Sequence, residues 1–210
     1  MYKPIAGLIV ATILVEPNSA LAQQQVLEEV FVSARKVEET SQTVPISMSV
    51  LTEEKIQSIN AFDFTDIDRI VPSLQLGANS PASATLKIRN VGPDFFALAF
   101  PAAVAVYVDG VPQAQPGSVF STMLDIQRIE VLNGPQGTLY GKNAPAGLIS
   151  IYTNNPTMNE FGGYITSSYS SWDTSNNMAA LNIPLVEDQL AFRLAGMYAR
   201  SDGYMDNAVP

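Results

Sequence analysis

The chain has 210 residues and contains neither cysteine nor histidine. These two absences exclude disulfide scaffolds, zinc sites built on either residue, and catalytic triads that use histidine or cysteine. With 11 basic and 20 acidic residues the formal net charge is -9, which disfavours nucleic-acid binding because phosphates need a basic partner surface.

Residues 1–22 are predicted to be a secretory signal peptide. Lys3 provides a positive start, residues 5–15 form an apolar run too short for a membrane helix, and Ala20-Leu21-Ala22 is a small-x-small cleavage site. A buried N-terminal strand or helix is the less favoured alternative. Export predicts a periplasmic, secreted or outer-membrane β protein.

Residues 23–43 are polar and charge-rich and are predicted to form a flexible tail with one apolar island. Within this tail, residues 30–34 suit a short extended strand that has no obvious pairing partner. A partner protein can capture such a strand through main-chain hydrogen bonds. An edge strand of the domain that follows explains the same pattern equally well.

Residues 44–156 mix helix and strand signals, which predict an α+β domain of short strands and small helices. Thr52 stands as an N-cap before two acidic residues, and Asp63 begins a second helical segment that Pro72 ends. Apolar patterning predicts strands at 85–89, 104–108, 126–132 and 148–152. The Asp109-Gly110 pair predicts a tight turn after the second of these strands.

Residues 157–210 alternate apolar and polar side chains, most clearly at 177–185 and 190–200. A period of two over about ten residues is typical of transmembrane β-barrel strands. The connection at 186–189 is predicted to be a short periplasmic turn, and the one at 171–176 a longer external loop. A soluble β-sandwich would also alternate, but export favours a barrel.

The segment from Asp125 to Ser150, DIQRIEVLNGPQGTLYGKNAPAGLIS, closely resembles the plug-domain signature of TonB-dependent outer-membrane receptors. YVDGV at 107–111, VPIS at 44–47 and LKIRN at 86–90 match further plug motifs in the expected order. The resemblance implies an α+β plug domain at 44–156, followed at 157–210 by roughly the first three antiparallel strands of a transmembrane β-barrel, incomplete at Pro210. It also implies a location in the cell outer membrane.

The resemblance also assigns candidate site residues. EEVFVSARK at 28–36 looks like the TonB box, the segment bound by the periplasmic energy-coupling protein TonB. The candidate TonB-binding residues are Glu28, Glu29, Val30, Phe31, Val32, Ser33 and Ala34. The plug-signature residues are Arg89, Asp109, Gly110, Arg128, Glu130, Gly134, Pro135, Gly137, Tyr140, Gly141 and Asn143. The candidate ligand-facing residues, for which core packing is an equal alternative, are Phe95, Phe96 and Phe100.

Two positions depart from the family pattern. Asn133 stands where the family usually has arginine, and Asn90 where glycine usually follows the plug arginine, here Arg89. In the family, two arginines are thought to lock the plug against barrel-wall carboxylates. Because one of them is missing, we expect this lock to be weaker or differently built.

No enzyme is predicted. The run from Gly137 to Asn143 lacks the spacing of a phosphate-binding loop, and the adjacent acids Glu53-Glu54 and Glu187-Asp188 are expected to be solvated. Neither a cofactor nor a metal is expected.

The resemblance implies energised uptake of a scarce ligand, by default a ferric siderophore or similar iron complex. The implied partners are TonB, outer-membrane lipid and that small ligand. Because about three strands cannot sit in lipid with open edges, the chain is expected to be part of a larger receptor. The alternative is a plug-only periplasmic binding or signalling module without transport activity.

Overall fold

The computed structural model describes residues 30–34, 37, 39–59, 61, 63–78, 84–93, 102–114, 123–141 and 144–203. The predicted signal peptide and the candidates Glu28, Glu29, Phe95, Phe96, Phe100 and Asn143 lie outside the described residues. Within those ranges, no helix is both long enough and apolar enough to cross a membrane.

The described elements are mostly short strands. In chain order the strands are β1 (Phe31–Val32), β2 (Glu39–Thr40), β3 (Met48–Thr52), β4 (Leu74–Ala78), β5 (Ala84–Ile88), β6 (Val104–Val108), β7 (Val111–Pro112), β8 (Ile126–Asn133), β9 (Gly147–Thr153), β10 (Gly162–Ser170), β11 (Thr174–Val186) and β12 (Leu190–Arg200). The helices are α1 (Glu53–Ser58), a 3-10 turn at Phe64–Asp66, and α2 (Gly137–Tyr140).

The centre of the first domain is a five-stranded sheet in the order β3-β8-β9-β6-β7. β6 and β9 run parallel, and the other neighbours run antiparallel. Two smaller pairs, β1-β2 and β4-β5, lie beside it. The predicted strands in this domain therefore form, and β8, β9 and β6 lie inside the sheet, with β3 and β7 as its edge strands.

The core lies on both faces of this sheet because successive side chains of a strand point in opposite directions. On one face, Ile129 and Ile149 pack with Phe64 from the 3-10 turn. On the other face, Leu132 and Leu148 form a second cluster that includes tail residues. The continuous apolar run of β8 and β9 reflects this two-sided burial.

The first predicted helix forms with its expected cap. The Thr52 hydroxyl accepts a hydrogen bond from the Lys55 N–H at 3.4 Å. The second predicted helix, from Asp63, is limited to the 3-10 turn and a few following turns. Most hydrogen bonds there span three residues, while the Val71 N–H reaches back four, to Ile67. Pro72 disfavours helical conformation at the residue before it, so the segment does not continue as an α-helix.

The last region is an antiparallel sheet in the order β10-β11-β12, as the alternation predicts. Its outer face carries exposed apolar residues such as Ile165, which is 84% exposed, and Leu194. The opposite face includes Ala180 and Asn182, both buried. One alternating face is thus apolar and open while the other faces the first domain.

The predicted longer loop at 171–176 is wrong. β10 and β11 pair as far as Ser170 and Thr174, so three residues make the reversal. Trp172 and Asp173 both adopt positive φ, at 58° and 49°, which lets the chain turn sharply. The polar composition that suggested a loop therefore belongs to a tight turn and the start of β11.

Candidate functional site

The segment from Val30 to Ala34 lies docked on the first domain. Phe31 and Val32 pair with β2 just downstream. Val32 and Ala34 are buried in the second cluster, whereas Phe31 is about half exposed, at 55%. The sequence predicts a flexible tail with a capturable strand; capture by a partner stays a prediction, and the structure shows the strand in a docked state.

Three side chains of the domain hold this segment, two of them through its main chain and one through the Ser33 side chain. The Ser33 N–H donates to Glu130 Oε1 at 3.0 Å, and Arg128 Nη2 donates to the Ser33 hydroxyl at 3.3 Å. The Tyr140 hydroxyl lies 3.2 Å from the carbonyl oxygen of Ser33 and 3.1 Å from that of Ala34. We call Arg128, Glu130 and Tyr140 the tail clasp. Any partner strand has to compete with the clasp for these main-chain groups.

The charge within the tail clasp is buried. Glu130 is fully buried, and its Oε1 lies 2.9 Å from Arg128 Nε. The Arg128 guanidinium also lies over the Tyr152 ring, 3.8 Å from its centroid. Glu130 Oε2 has no hydrogen-bond partner among the residues that the structure describes. Because an unpaired buried carboxylate is costly, Glu130 depends on Arg128 as its counter-ion.

Two tyrosines, Tyr140 of the tail clasp and its neighbour Tyr152, remain protonated at neutral pH. Burial raises the pKa of Tyr140 to about 12, and burial also raises the pKa of Tyr152. The Tyr140 hydroxyl therefore remains a donor toward the tail. A cleft of about 340 Å³ adjoins the clasp and is lined by Ser33, Tyr107, Gly110, Tyr140, Ser150 and Tyr152.

The signature pair Asp109-Gly110 makes the predicted tight turn between β6 and β7. Their φ angles are 48° and 80°, as a type I′ turn requires. The Asp109 carboxylate accepts from the Thr153 N–H and from its hydroxyl, each at 2.8 Å. Asp109 therefore fixes the end of β9. Across the described part of the chain, no group of three or more acidic, histidine or cysteine residues could hold a metal ion.

Arg89 and Asn133, the two positions of the expected arginine lock, meet at one side chain. Arg89 Nη2 donates to the Ser47 hydroxyl at 2.9 Å, and Asn133 Nδ2 lies 3.3 Å from the same oxygen. Asn133 Oδ1 is buried and has no partner among the described residues. Asn90 adopts a positive φ of 63°, a conformation that glycine adopts freely and asparagine tolerates.

The signature glycines serve the backbone. Gly134 has a φ of +91°, which side chains rarely adopt. At Gly147 a Cβ atom would lie 2.3 Å from the Leu132 carbonyl oxygen, so the close approach of β8 and β9 requires glycine there. Pro135 is exposed, Gly137 begins α2, and Gly141 follows its end with a φ of +75°. These positions shape the turn around Tyr140.

An ion pair that the sequence did not single out joins the first domain to the last sheet. Asp125 lies just before β8, and its carboxylate accepts from Arg193 Nε and Nη2, each at 2.6 Å. The side chains of Arg193 and Asp125 are only 15% and 8% exposed. Burial opposes ionisation of Asp125, but hydrogen bonds from Arg193 and Asn154 outweigh it and hold the pKa below its ordinary value of 3.8.

Asp125 also contacts two further elements. Its Oδ1 accepts from Asn154 Nδ2 at 3.0 Å and lies 3.2 Å from the Tyr164 hydroxyl on β10. Asp125 itself has a φ of 52°, a conformation that aspartate tolerates better than most residues. One carboxylate thus connects β8, the segment after β9, β10 and β12. The only sequence signal was that Arg193 stands opposite the apolar face of its strand.

Comparison with known proteins gives a consistent result. The family described as TonB-dependent Receptor Plug Domain matches residues 40–148. The pesticin receptor of Yersinia pestis is 28% identical over 206 residues, covering 97% of this chain and 29% of that protein. The vitamin B12 transporter BtuB of Vibrio vulnificus is 26% identical and covers 97% of this chain and 33% of its own length.

A solved structure shows the same architecture. The crystal structure of the ferric yersiniabactin uptake receptor FyuA from Yersinia pestis superposes with a TM-score of 0.65 at 31% identity. The match covers 72% of this chain and 24% of that one. The predicted fold class is thereby confirmed. The chain spans less than a third of the length of the pesticin receptor.

Proposed function

Because the chain belongs to the TonB-dependent receptor family, whose plug domain covers residues 40–148, we propose that it acts in energised uptake of a scarce ligand across the outer membrane. The observation that carries the proposal is a combination within one chain. A plug domain is packed on strands with an apolar outer face, and a short strand of the tail is held on the plug by main-chain contacts.

The expected location, the cell outer membrane, is confirmed by this family membership. The outer face of β10–β12, which includes Ile165 and Leu194, would contact outer-membrane lipid. The relatives described above are named as receptors and a transporter, which supports the inference that this chain is not an enzyme. Their names also favour transport over a plug-only binding or signalling module.

TonB is the proposed periplasmic partner. An outer membrane has no ATP supply and no ion gradient of its own, so uptake against a concentration difference needs energy delivered by another protein. The candidate TonB-binding segment from Glu28 to Ala34 suits capture by strand addition. Its described part, Val30 to Ala34, is held by the tail clasp, so TonB binding would have to displace Glu130 and Tyr140 from Ser33 and Ala34.

An iron complex is the proposed ligand class, with a ferric siderophore as the first candidate. The FyuA receptor is named for uptake of ferric yersiniabactin, whereas the BtuB relative is named for vitamin B12. The candidate ligand-facing residues Phe95, Phe96 and Phe100 remain a proposal.

The test uses the receptor that contains this chain, in a strain from which its gene has been deleted. Uptake of radiolabelled iron supplied as ferric siderophores is compared with uptake of radiolabelled cobalamin. We expect iron uptake that depends on the receptor and collapses when the proton motive force is dissipated. Absence of receptor-dependent iron uptake would contradict the proposed ligand class, and cobalamin uptake in its place would point to the ligand class named for the BtuB relative.

A matched pair of variants tests the TonB contact. Phe31→Pro removes a main-chain N–H and disfavours strand pairing, whereas Phe31→Ala keeps the backbone and removes the same half-exposed ring. We expect the proline variant to lose uptake while the alanine variant retains most of it. Equal uptake by both variants would argue against strand capture at this segment.

A further inference from the structure

Residues 154–161 connect the plug to β10. This connection is hydrogen-bonded to the plug at one end and to the β10–β12 sheet further on, and only two residues separate the two sets of bonds. On the plug side, the Asn154 N–H donates to the Asp125 carbonyl oxygen at 2.9 Å. Asn154 Nδ2 also donates to Asp125 Oδ1 at 3.0 Å and lies 3.4 Å from Glu53 Oε2. With Thr153 held by Asp109, the chain is fixed to the plug as far as Asn154.

On the barrel side, one buried amide holds the next part of the connection. Asn182 on β11 is 2% exposed. Its Oδ1 accepts from the Thr157 N–H at 3.0 Å, and its Nδ2 donates to the carbonyl oxygens of Thr157 and Glu160, at 2.9 and 2.6 Å. Three of the four hydrogen-bonding positions of the amide side chain are used here, so Asn182 binds the main chain of 157–160 specifically.

A second asparagine attaches the same stretch to the turn between β11 and β12. Asn159 Nδ2 donates to Asp188 Oδ1 at 2.7 Å, and Asn159 Oδ1 accepts from the Asp188 N–H at 3.2 Å. Asp188 lies in the turn between β11 and β12. The connection from Thr157 onward therefore belongs mechanically to the β10–β12 sheet, although it precedes β10 in the chain.

Between these attachments stand Asn155 and Pro156. Both are exposed, and neither hydrogen-bonds to any residue in the described part of the chain. Proline fixes its own φ and restricts the residue before it to extended conformations, so the two residues offer few free torsions. A link of this kind permits rotation about a small number of bonds without becoming a long floppy loop.

We infer that Asn155–Pro156 is the hinge between the plug and the barrel, and that residues 157–160 remain with the barrel when the plug moves. The inference rests on the proposed function only in supposing that the plug moves relative to the barrel. Asp125 gives the hinge a closed state, because the same carboxylate binds Asn154 beside the hinge and Arg193 on the barrel. Loss of the Arg193 contact would leave the Tyr164 hydroxyl as the remaining contact of this carboxylate with the β10–β12 sheet.

The test measures distances between spin labels in the receptor that contains this chain, purified in detergent and treated with urea below the transition of the barrel. This chain has no cysteine, so spin labels attach within it only to cysteines introduced at Glu54, Met158 and Glu187, two at a time. These three residues are exposed on the plug, the connection and the barrel turn, respectively. We expect the distribution of distances between labels 54 and 158 to broaden about twofold, while the distribution between labels 158 and 187 keeps its width.

Asn182→Ala is the variant that distinguishes the hinge from general loosening. It removes the amide that holds Thr157 and Glu160, so the 158–187 distribution should broaden in this variant as well. Broadening of 158–187 in the unmodified receptor, with 54–158 unchanged, would overturn the inference because the connection would then move with the plug. No ligand or energy source is needed, so the outcome is independent of the uptake assays.

Discussion

Asp125 and Arg193 form a two-point ion pair in which both carboxylate oxygens accept from the guanidinium, each at 2.6 Å. The acid belongs to the plug and the base to β12, so the charges are placed opposite to the arginine lock expected from the family. That expectation was of a weaker or differently built lock, because Asn133 replaces an arginine. The structure shows an ion pair between residues 68 positions apart, and we predict that this pair restrains the plug.

Arg193→Gln should weaken the attachment of the plug by about 3 kcal/mol, because Asp125 is left charged and only partly paired in a buried site. The readout is the labelling rate of a single cysteine placed at Ala180, which is buried on the face of β11 that faces the plug. Labelling should speed up about a hundredfold. Arg200→Gln is the matched control, because its ion pair with Asp202 is exposed and worth at most about 1 kcal/mol. Equal effects in the two variants would show that the buried ion pair does not contribute specifically to plug attachment.

Acid should break the same ion pair between Asp125 and Arg193. The pKa of Asp125 is lowered in the folded state, so its ionised form adds stability that is complete above the ordinary value of 3.8. That stability is lost as the pH falls through the lowered folded-state pKa. Plug attachment, followed by the same cysteine, should hold from neutral pH to about pH 4 and weaken below it. Asp125→Asn should lack this component, and an unchanged acid profile in that variant would contradict the assignment.

Features set by residues close together in the chain could be predicted from the sequence, whereas contacts between distant residues could not. Local patterns were sufficient for the cap at Thr52, the turn at Asp109-Gly110 and the alternation of β11 and β12. The contact between Asp125 and Arg193 joins residues that no local period relates, and Asn182 looked like an ordinary polar residue on the inner face. Its role depends on main chain that the fold brings to it. The docked state of Ser33 was likewise open, since an edge strand and a free strand have the same pattern.

Tyr140→Phe should loosen the tail, because its hydroxyl is shared between the carbonyl oxygens of Ser33 and Ala34. Loss of that donor is expected to cost about 1 kcal/mol, or roughly a fivefold rise in the undocked fraction. A spin label at the exposed position Phe31 reports the change as increased mobility. Tyr169→Phe is the control, since that hydroxyl contacts Asp173 at a strand end and not the tail. Unchanged mobility in Tyr140→Phe would show that the clasp does not hold this strand.

Gly147→Ala should destabilise the plug by about 2 kcal/mol, because the new methyl group would overlap the Leu132 carbonyl oxygen and the two strands would have to separate. Gly137→Ala is a matched control in the same signature, where nothing lies within 4 Å of an added Cβ. Urea unfolding of the plug should show a clear loss for the first variant and little change for the second. Similar stability of both variants would mean that the β8–β9 approach can relax.

Asn133→Arg should restore the second arginine of the family pattern and slow plug movement in the complete receptor. Arg89 already donates to the Ser47 hydroxyl, and that one oxygen cannot satisfy the several N–H donors of a second guanidinium at 133, which would seek a carboxylate on the barrel wall. We expect uptake to slow severalfold, with ligand binding unchanged. Asn133→Gln, which adds length without charge, should transport normally. Unchanged uptake kinetics in the arginine variant would count against the idea that charge at this position restrains the plug.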